Sequence, residues 1–218
     1  HKFRTVWVPE GKQIAYNDST TLNFPVGAVI SKTFYYPHDF RKPEAGRNLI
    51  ETRILVKGKD KWHPYEYVWN EEQTDAELKV AGEMRKVSWT HHDGEKRTAN
   101  YMVPNTNQCK GCHANKGIVR PIGPKARNLN GDYPYQEGAM NQLAKWKQAG
   151  ILTGAPKPEA APRLAVWDDP SSGSLDERAR AWLEINCAHC HNPKGPAGTS
   201  GLDLMASQMD PSKWGICK

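Results

Sequence analysis

From residue 1 to about residue 103, apolar positions recur at every second residue and are punctuated by Gly, Pro and Asp. That is how half-buried strands read, because successive strand side chains point to opposite faces. The period predicts strands over Thr5–Val8, Gln13–Tyr16, Ala28–Tyr36, Leu49–Val56, Pro64–Trp69, Arg85–His91 and Lys96–Val103. Between the last two, Asp93-Gly94 predicts a two-residue type I′ turn, and the whole region reads as an antiparallel β domain.

After Pro104-Asn105 the pattern changes. A short helix is expected to carry residues 109–113, and the proline-stiffened segment Val119–Arg127 should run extended. Asn141–Gln148 reads as a helix with Leu143 and Trp146 on one face and Gly150 as its C-terminal cap. Pro156, Pro158 and Pro162 then mark a semi-rigid linker. Ser174-Leu175-Asp176-Glu177 is a capping box opening a helix whose stripe of Leu175, Ala179, Trp182 and Leu183 is expected to be core. The fold expected is therefore α+β: an antiparallel β-sandwich ending in a helix within residues 1–150, a linker over 151–173, and a small helical module over 174–218.

Two stretches carry chemistry. Cys109-Lys-Gly-Cys112-His113 and Cys187-Ala-His-Cys190-His191 both have the CxxCH spacing of a c-type haem attachment site. Two thiols three residues apart on a helical turn can each form a thioether to a haem vinyl group, and the next residue can place its imidazole under the iron. The expectation is two covalently attached c-type haems, held by Cys109, Cys112, Cys187 and Cys190 and ligated by His113 and His191. A zinc site built from both CxxC pairs competes with this reading. The 74 residues between Cys112 and Cys187 far exceed the usual spacing of such sites, and zinc needs no His after each pair. Cys217 is left over and reads as an incidental thiol.

The net charge of +6, from 30 basic and 24 acidic residues, would ordinarily suggest nucleic acid or a membrane surface. Haem propionates would take up part of that excess, the rest reads as a solvated basic surface or as a docking face for an acidic redox partner, and no Lys/Arg block argues for nucleic acid. No apolar run approaches the ~20 residues of a membrane span. Covalent c-type haem is assembled outside the cytoplasmic membrane, so a periplasmic or otherwise extracytoplasmic bacterial location is expected. The 27 residues after His191 are few to cover a second haem, whose module therefore looks cut short. Met205 and Met209 are the local thioethers that could serve as axial ligands, and His38, His63, His91 and His92 read as loop or surface histidines. Lys125 and Arg127 read as ordinary surface charges, with propionate partners as the alternative.

The two motif contexts, with Phe24-Pro-Val-Gly27, Leu49-Ile-Glu-Thr-Arg53, Tyr67-Val-Trp-Asn70, Pro121-Ile-Gly-Pro-Lys125 and Thr199-Ser-Gly-Leu-Asp-Leu204, resemble an uncharacterised bacterial family of two-haem c-type cytochromes. The N-terminal half, through Phe24–Lys32, Ile54–Lys57, Trp62–Trp69, Cys109, Cys112 and His113, also resembles cytochrome c′-beta and its relatives whose haem is cross-linked to a lysine. That second resemblance implies nitric oxide binding or hydroxylamine oxidation, puts Lys32 at the cross-linking position, and makes Trp62, Tyr65, Tyr67 and Trp69 candidate pocket walls. Read from the residues alone, Lys32 is a strand lysine facing solvent and the aromatics are strand packing.

Three functional readings follow. The preferred one is electron transfer with redox partner proteins. The alternative is a haem enzyme or gas-binding protein with the first haem as its active site and the second as electron relay. A third places the chain as a subunit of a larger redox assembly.

Overall fold

A computed structural model describes residues 1–115 and 117–215, so Cys217 lies outside the described residues. In chain order the strands and helices are β1 (Lys2–Trp7), β2 (Ile14–Ala15), β3 (Val29–Pro37), β4 (Arg47–Lys57), β5 (Trp62–Trp69), β6 (Ala76–Leu78), β7 (Glu83–Thr90), β8 (Lys96–Val103), α1 (Thr106–His113), β9 (Ala114–Asn115), β10 (Ile118–Val119), α2 (Ala126–Leu129), β11 (Asp132–Tyr135), β12 (Gly138–Asn141), α3 (Gln142–Gln148), β13 (Leu152–Thr153) and α4 (Leu175–Asn186). The architecture is mixed α and β, with mostly antiparallel strands and few helices. Contacts group the residues into two units, 1–7 with 26–111 and 8–25 with 112 onward, and the division falls inside α1.

The first unit is a five-stranded antiparallel sheet, β1-β3-β4-β5-β6, with β7 and β8 as a separate two-stranded ribbon. Ile50 of β4, Val68 of β5, Val87 of β7 and Val103 of β8 form the buried cluster that joins ribbon to sheet, with Tyr36, Trp89 and Tyr101 packed against it. Each such aliphatic side chain contributes about 1.5–3 kcal/mol by leaving water. The turn between β7 and β8 differs from the expected type I′. His91 accepts from the Gly94 amide and donates to the Glu95 carbonyl, and among the described residues of this turn only Gly94 has positive φ (+87°). Asp93 keeps negative φ because its carboxylate caps the Glu95 amide (3.0 Å), which makes a longer loop with glycine in the left-handed position.

The second unit is built from short elements around Ile14, Leu22, Phe24, Val119, Leu143 and Leu152, all buried. Residues 13–16, expected in the antiparallel β domain, pair instead with β13 in parallel, Ile14 opposite Leu152. The Pro-rich stretch 151–173 lies inside this unit and is pinned at several points. Besides the β13 pairing, the Asn130 amide donates to the carbonyls of Pro158 (2.9 Å) and Ala161 (3.0 Å), and Ala155 and Ala161 are buried.

Helix α3 ends as the sequence predicts. Gly150 has φ +73°, its amide reaches the Lys147 carbonyl, and the Ile151 amide reaches that of Trp146, the paired bonds of a Schellman cap. The capping box opening α4 is also present, with Ser174 and Glu177 each bonding the other's backbone amide. Its expected core stripe is not core. Leu175 is 72% exposed and Trp182 45%, while Ala181 and Glu184 face inward, so α4 is held by a buried carboxylate. No helix among the described residues is long and apolar enough to cross a membrane.

Candidate functional site

Helix α1 begins with a reciprocal cap. The Asn105 side chain accepts from the Gln108 amide (2.9 Å) and the Gln108 side chain accepts from the Asn105 amide (2.8 Å). The helix is thereby fixed at a definite residue, and Cys109, Cys112 and His113 follow at i, i+3 and i+4, neighbours along one side. Cys109 is buried and its thiol donates to Glu66 Oε1 at 2.6 Å, while the Thr106 hydroxyl donates to Glu66 Oε2 at 3.3 Å. Burial, then the bond to Glu66 and its charge, push the Cys109 thiol up to about 12, far from a reactive thiolate. Cys112 is exposed.

Directly after α1, the hairpin β9–β10 turns at Gly117 (φ +77°) and returns the chain so that the Arg120 carbonyl meets the His113 ring. His113 Nδ1 lies 2.9 Å from that carbonyl oxygen. A carbonyl only accepts, so Nδ1 carries the proton and, in the neutral ring, Nε2 carries the lone pair, the tautomer a metal ligand needs.

The second motif is not on its helix. Helix α4 ends at Asn186 with Cys187 as C-cap, and residues 187–191 run through turns in which Cys190 and His191 both donate to the Cys187 carbonyl. Asn192 closes them by donating to the Ala188 carbonyl (2.7 Å), and the loop that follows wraps back on the motif, Ala197 donating to the Cys190 carbonyl. Gly195 sits so close to that carbonyl that a Cβ there would collide with it. His191 Nδ1 lies 3.1 Å from the Ser200 hydroxyl oxygen, and that hydroxyl donates its proton to the Ala197 carbonyl (2.7 Å). Ser200 can then only accept from the ring, so His191 is held in the same tautomer as His113.

The structure also brings residues of the two motifs together. One ligand atom each from Cys112, His189 and Cys190 lie within 4.8 Å of one another. Burial, then the neighbouring Cys112, raise the Cys190 thiol.

Lys32 of β3 stands between Arg4 of β1 and Arg53 of β4, and Arg53 in turn stands opposite Glu66 of β5. These four side chains share one sheet face, the one whose Glu66 receives the Cys109 thiol. Lys32 Nζ lies 4.7 Å and Arg53 Cζ 4.4 Å from the centroid of the Phe34 ring. Burial, then the charges of Arg4, Lys2 and Arg53, lower Lys32 to about 8, so it is far from the solvated strand lysine that the alternation alone suggests. Glu51 is the anion on this face. It is fully buried, takes two bonds from Arg53 (2.9 and 2.6 Å), and accepts from the Tyr101 hydroxyl at 2.5 Å. Neither Glu51 nor Glu66 was singled out by the sequence pattern. The available signal was a charged residue in the middle of each strand with buried neighbours.

The aromatic run of β5 cannot wall one pocket. Alternation puts Trp62 on the Glu66 face, whereas Tyr65, Tyr67 and Trp69 point the other way, where Trp69 Nε1 donates to Thr52 (3.0 Å). Lys125 and Arg127 are committed elsewhere as well. Both bind Glu184 of α4, at 2.5 and 2.8 Å, with side chains 14% and 9% exposed. Burial acts to raise Glu184, and the bonds from Lys125 and Arg127 outweigh it and hold the carboxyl below its usual range. Of the remaining candidates, His91 and His92 join an aromatic cluster around Phe40, and Met209 is 75% exposed.

As a donor set, the residues fit c-type haem at both motifs: thiols at the attachment spacing and imidazoles held with the lone pair on Nε2. The member that departs from the fit is Cys109, whose thiol must leave Glu66 to form a thioether. A scan against protein-family models, a search of curated proteins and a search of solved structures each found no match to this chain.

Proposed function

We propose that the chain is a dihaem c-type cytochrome that transfers electrons outside the bacterial cytoplasmic membrane, alone or as a subunit of a larger redox assembly. The observation that carries this reading is the paired tautomer. At both CxxCH motifs the histidine Nδ1 faces an accepting oxygen of the chain, the Arg120 carbonyl and the Ser200 hydroxyl, which in the neutral ring puts the proton on Nδ1 and the lone pair on Nε2. Such a bond also fixes the ring plane and raises ligand basicity, so Arg120 and Ser200 are the positioning groups for His113 and His191.

In this reading α1 is the haem-binding helix of the first motif, and α4 with the loop after it forms a small c-type module around the second. Cys109 and Cys112 anchor one haem and Cys187 and Cys190 the other, while bound haem supplies the one-electron iron couple. Redox proteins are the partners, and the surplus of +6 suits an acidic docking face.

Purified from a host that attaches haem outside the cytoplasm, the protein should contain two haems per chain by pyridine haemochrome. Both should remain with the polypeptide after extraction into acidified organic solvent. Haem that leaves into the solvent overturns the reading.

One arrangement favours the second reading, a haem enzyme or gas-binding protein acting on hydroxylamine or nitric oxide. Lys32, with its lowered affinity for a proton, occupies the sheet face onto which the Cys109 thiol turns. Carbon monoxide added to the reduced protein separates the two. Two haems indifferent to it support the carrier, and one that responds supports a catalytic or sensing first haem with Lys32 beside it.

A further inference from the structure

We infer that the haem-free chain binds one Zn²⁺ through Cys112, His189 and Cys190, a site that takes one thiol from each CxxCH motif. The three ligand atoms already lie within 4.8 Å of one another, with Cys112 exposed and the other two half-buried. A tetrahedral zinc with Zn–S of ~2.3 Å and Zn–N of ~2.0 Å needs ligand–ligand separations of roughly 3.5–3.8 Å, so each donor moves by about 1 Å or less. The donor set is the soft thiolate–imidazole mixture that selects a d¹⁰ ion over the harder Mg²⁺ or Ca²⁺. Water completes the fourth position, and two thiol protons pass to the solvent as the thiolates form.

The neighbouring elements suit this assembly. The α1 helix presents Cys112 one turn beyond the buried Cys109, which points away to Glu66. The turns after α4, closed by Asn192 and by the Ala197–Cys190 bond, hold His189 and Cys190 one residue apart in sequence on a fixed loop. A zinc held here blocks haem attachment at both motifs at once, because each loses one of its two thiols. The inference concerns the chain before haem is attached and does not depend on the proposed electron transfer.

The test uses the full chain made in the cytoplasm without haem attachment, reduced, stripped of metal and titrated with Zn²⁺. Co²⁺ serves as the optical probe, through its thiolate charge-transfer band. One equivalent per chain is expected, and Cys112→Ser and His189→Gln should each weaken binding by about 100-fold. Cys109→Ser should retain the site. Failure to bind one equivalent overturns the inference. So does a loss in Cys109→Ser as large as that in Cys112→Ser, combined with indifference to His189→Gln, because that pattern means the first CxxC pair binds by itself. Either result leaves the haem count of the mature protein unchanged, so this inference and the proposed function fail separately.

Discussion

Each unit of the protein buries carboxylates, and it neutralises them differently. In the second unit Glu184 is fully shielded and meets two cations, Lys125 and Arg127, with the Ala206 amide (2.7 Å) on its other oxygen. In the first, Glu66 is equally shielded and, among the described residues, takes its bonds from a thiol and a hydroxyl with Arg53 opposite it on the neighbouring strand, and Glu51 lies between, bound by Arg53 and a tyrosine. A carboxylate enclosed by two nearly buried cations is a strut, since removing its charge strands both partners. A carboxyl group bonded by neutral partners, one of them the first cysteine of a CxxCH motif, is a group whose partner can be exchanged. The contrast separates the part of the molecule that holds its shape from the part that can receive something.

The contrast can be broken by the same isosteric change at all three sites. Glu184→Gln should be the most damaging, costing about 3–5 kcal/mol because Lys125 and Arg127 lose their shared anion, or roughly 10 °C in melting temperature. The folded carboxyl is held below its usual range. Its contribution is therefore fully present above the unfolded value and is lost as pH falls through the folded one. The wild-type chain should lose stability on acidification below about pH 4.5, and the variant should lack that component. Glu51→Gln should cost less, about 1–3 kcal/mol, because Arg53 is a third exposed and water can replace the carboxylate. Glu66→Gln should cost under about 1 kcal/mol, since the amide oxygen still accepts from Cys109 and the amide nitrogen, in the place of Oε2, can donate to the Thr106 hydroxyl oxygen. Thermal melts of the three variants give the order, and a Glu66 effect as large as that of Glu184 would abolish the distinction.

The part of this arrangement that lies along the chain could be read from the sequence, and the part that crosses it could not. Period two located the long strands β1, β3, β4, β5, β7 and β8 to within a few residues, and the Ser174–Glu177 box and Gly150 fixed helix ends, because turn and cap chemistry is local. The Asn105–Gln108 cap is legible by the same rule. What escaped was non-local. Residues 13–16 look like any short strand, and only their pairing with β13, far along the sequence, places them in the second unit. Lys125 and Arg127 look like surface charges until Glu184 is found to be their partner, and the stripe on α4 misleads because apolar spacing reports a face without saying which way it points. At the candidate site the ligand types were plain in the two CxxCH motifs. The oxygens that fix the histidine tautomers, from Arg120 and Ser200, were hidden because hairpin and loop geometry alone brings them to the rings.

The smallest effect sharpens the comparison from the cation side. Where Glu184 draws two cations around one anion, the Glu51 face crowds Lys2, Arg4, Lys32 and Arg53 together, and Lys32, through its burial first and this crowding second, holds its proton less tightly, at about 8 instead of 10.5. Below pH 8 the lysine is charged in both the folded and unfolded chain, so the cost of burying and crowding that charge is fully present. Between about 8 and 10.5 the folded chain has released a proton that the unfolded chain still holds, and stability should rise with pH across that window. Lys32→Met removes the charge and keeps the long apolar stem against Phe34. It should raise stability at pH 7 by about 1 kcal/mol, once solvent screening is allowed for, or ~3 °C in melting temperature. It should also flatten the alkaline rise, so that wild type and variant converge near pH 10. Melting temperatures measured from pH 6 to 10.5 decide it. A variant less stable than wild type at pH 7 would mean that Lys32 is held by favourable contacts, and the first unit would then be balanced in the same way as the second.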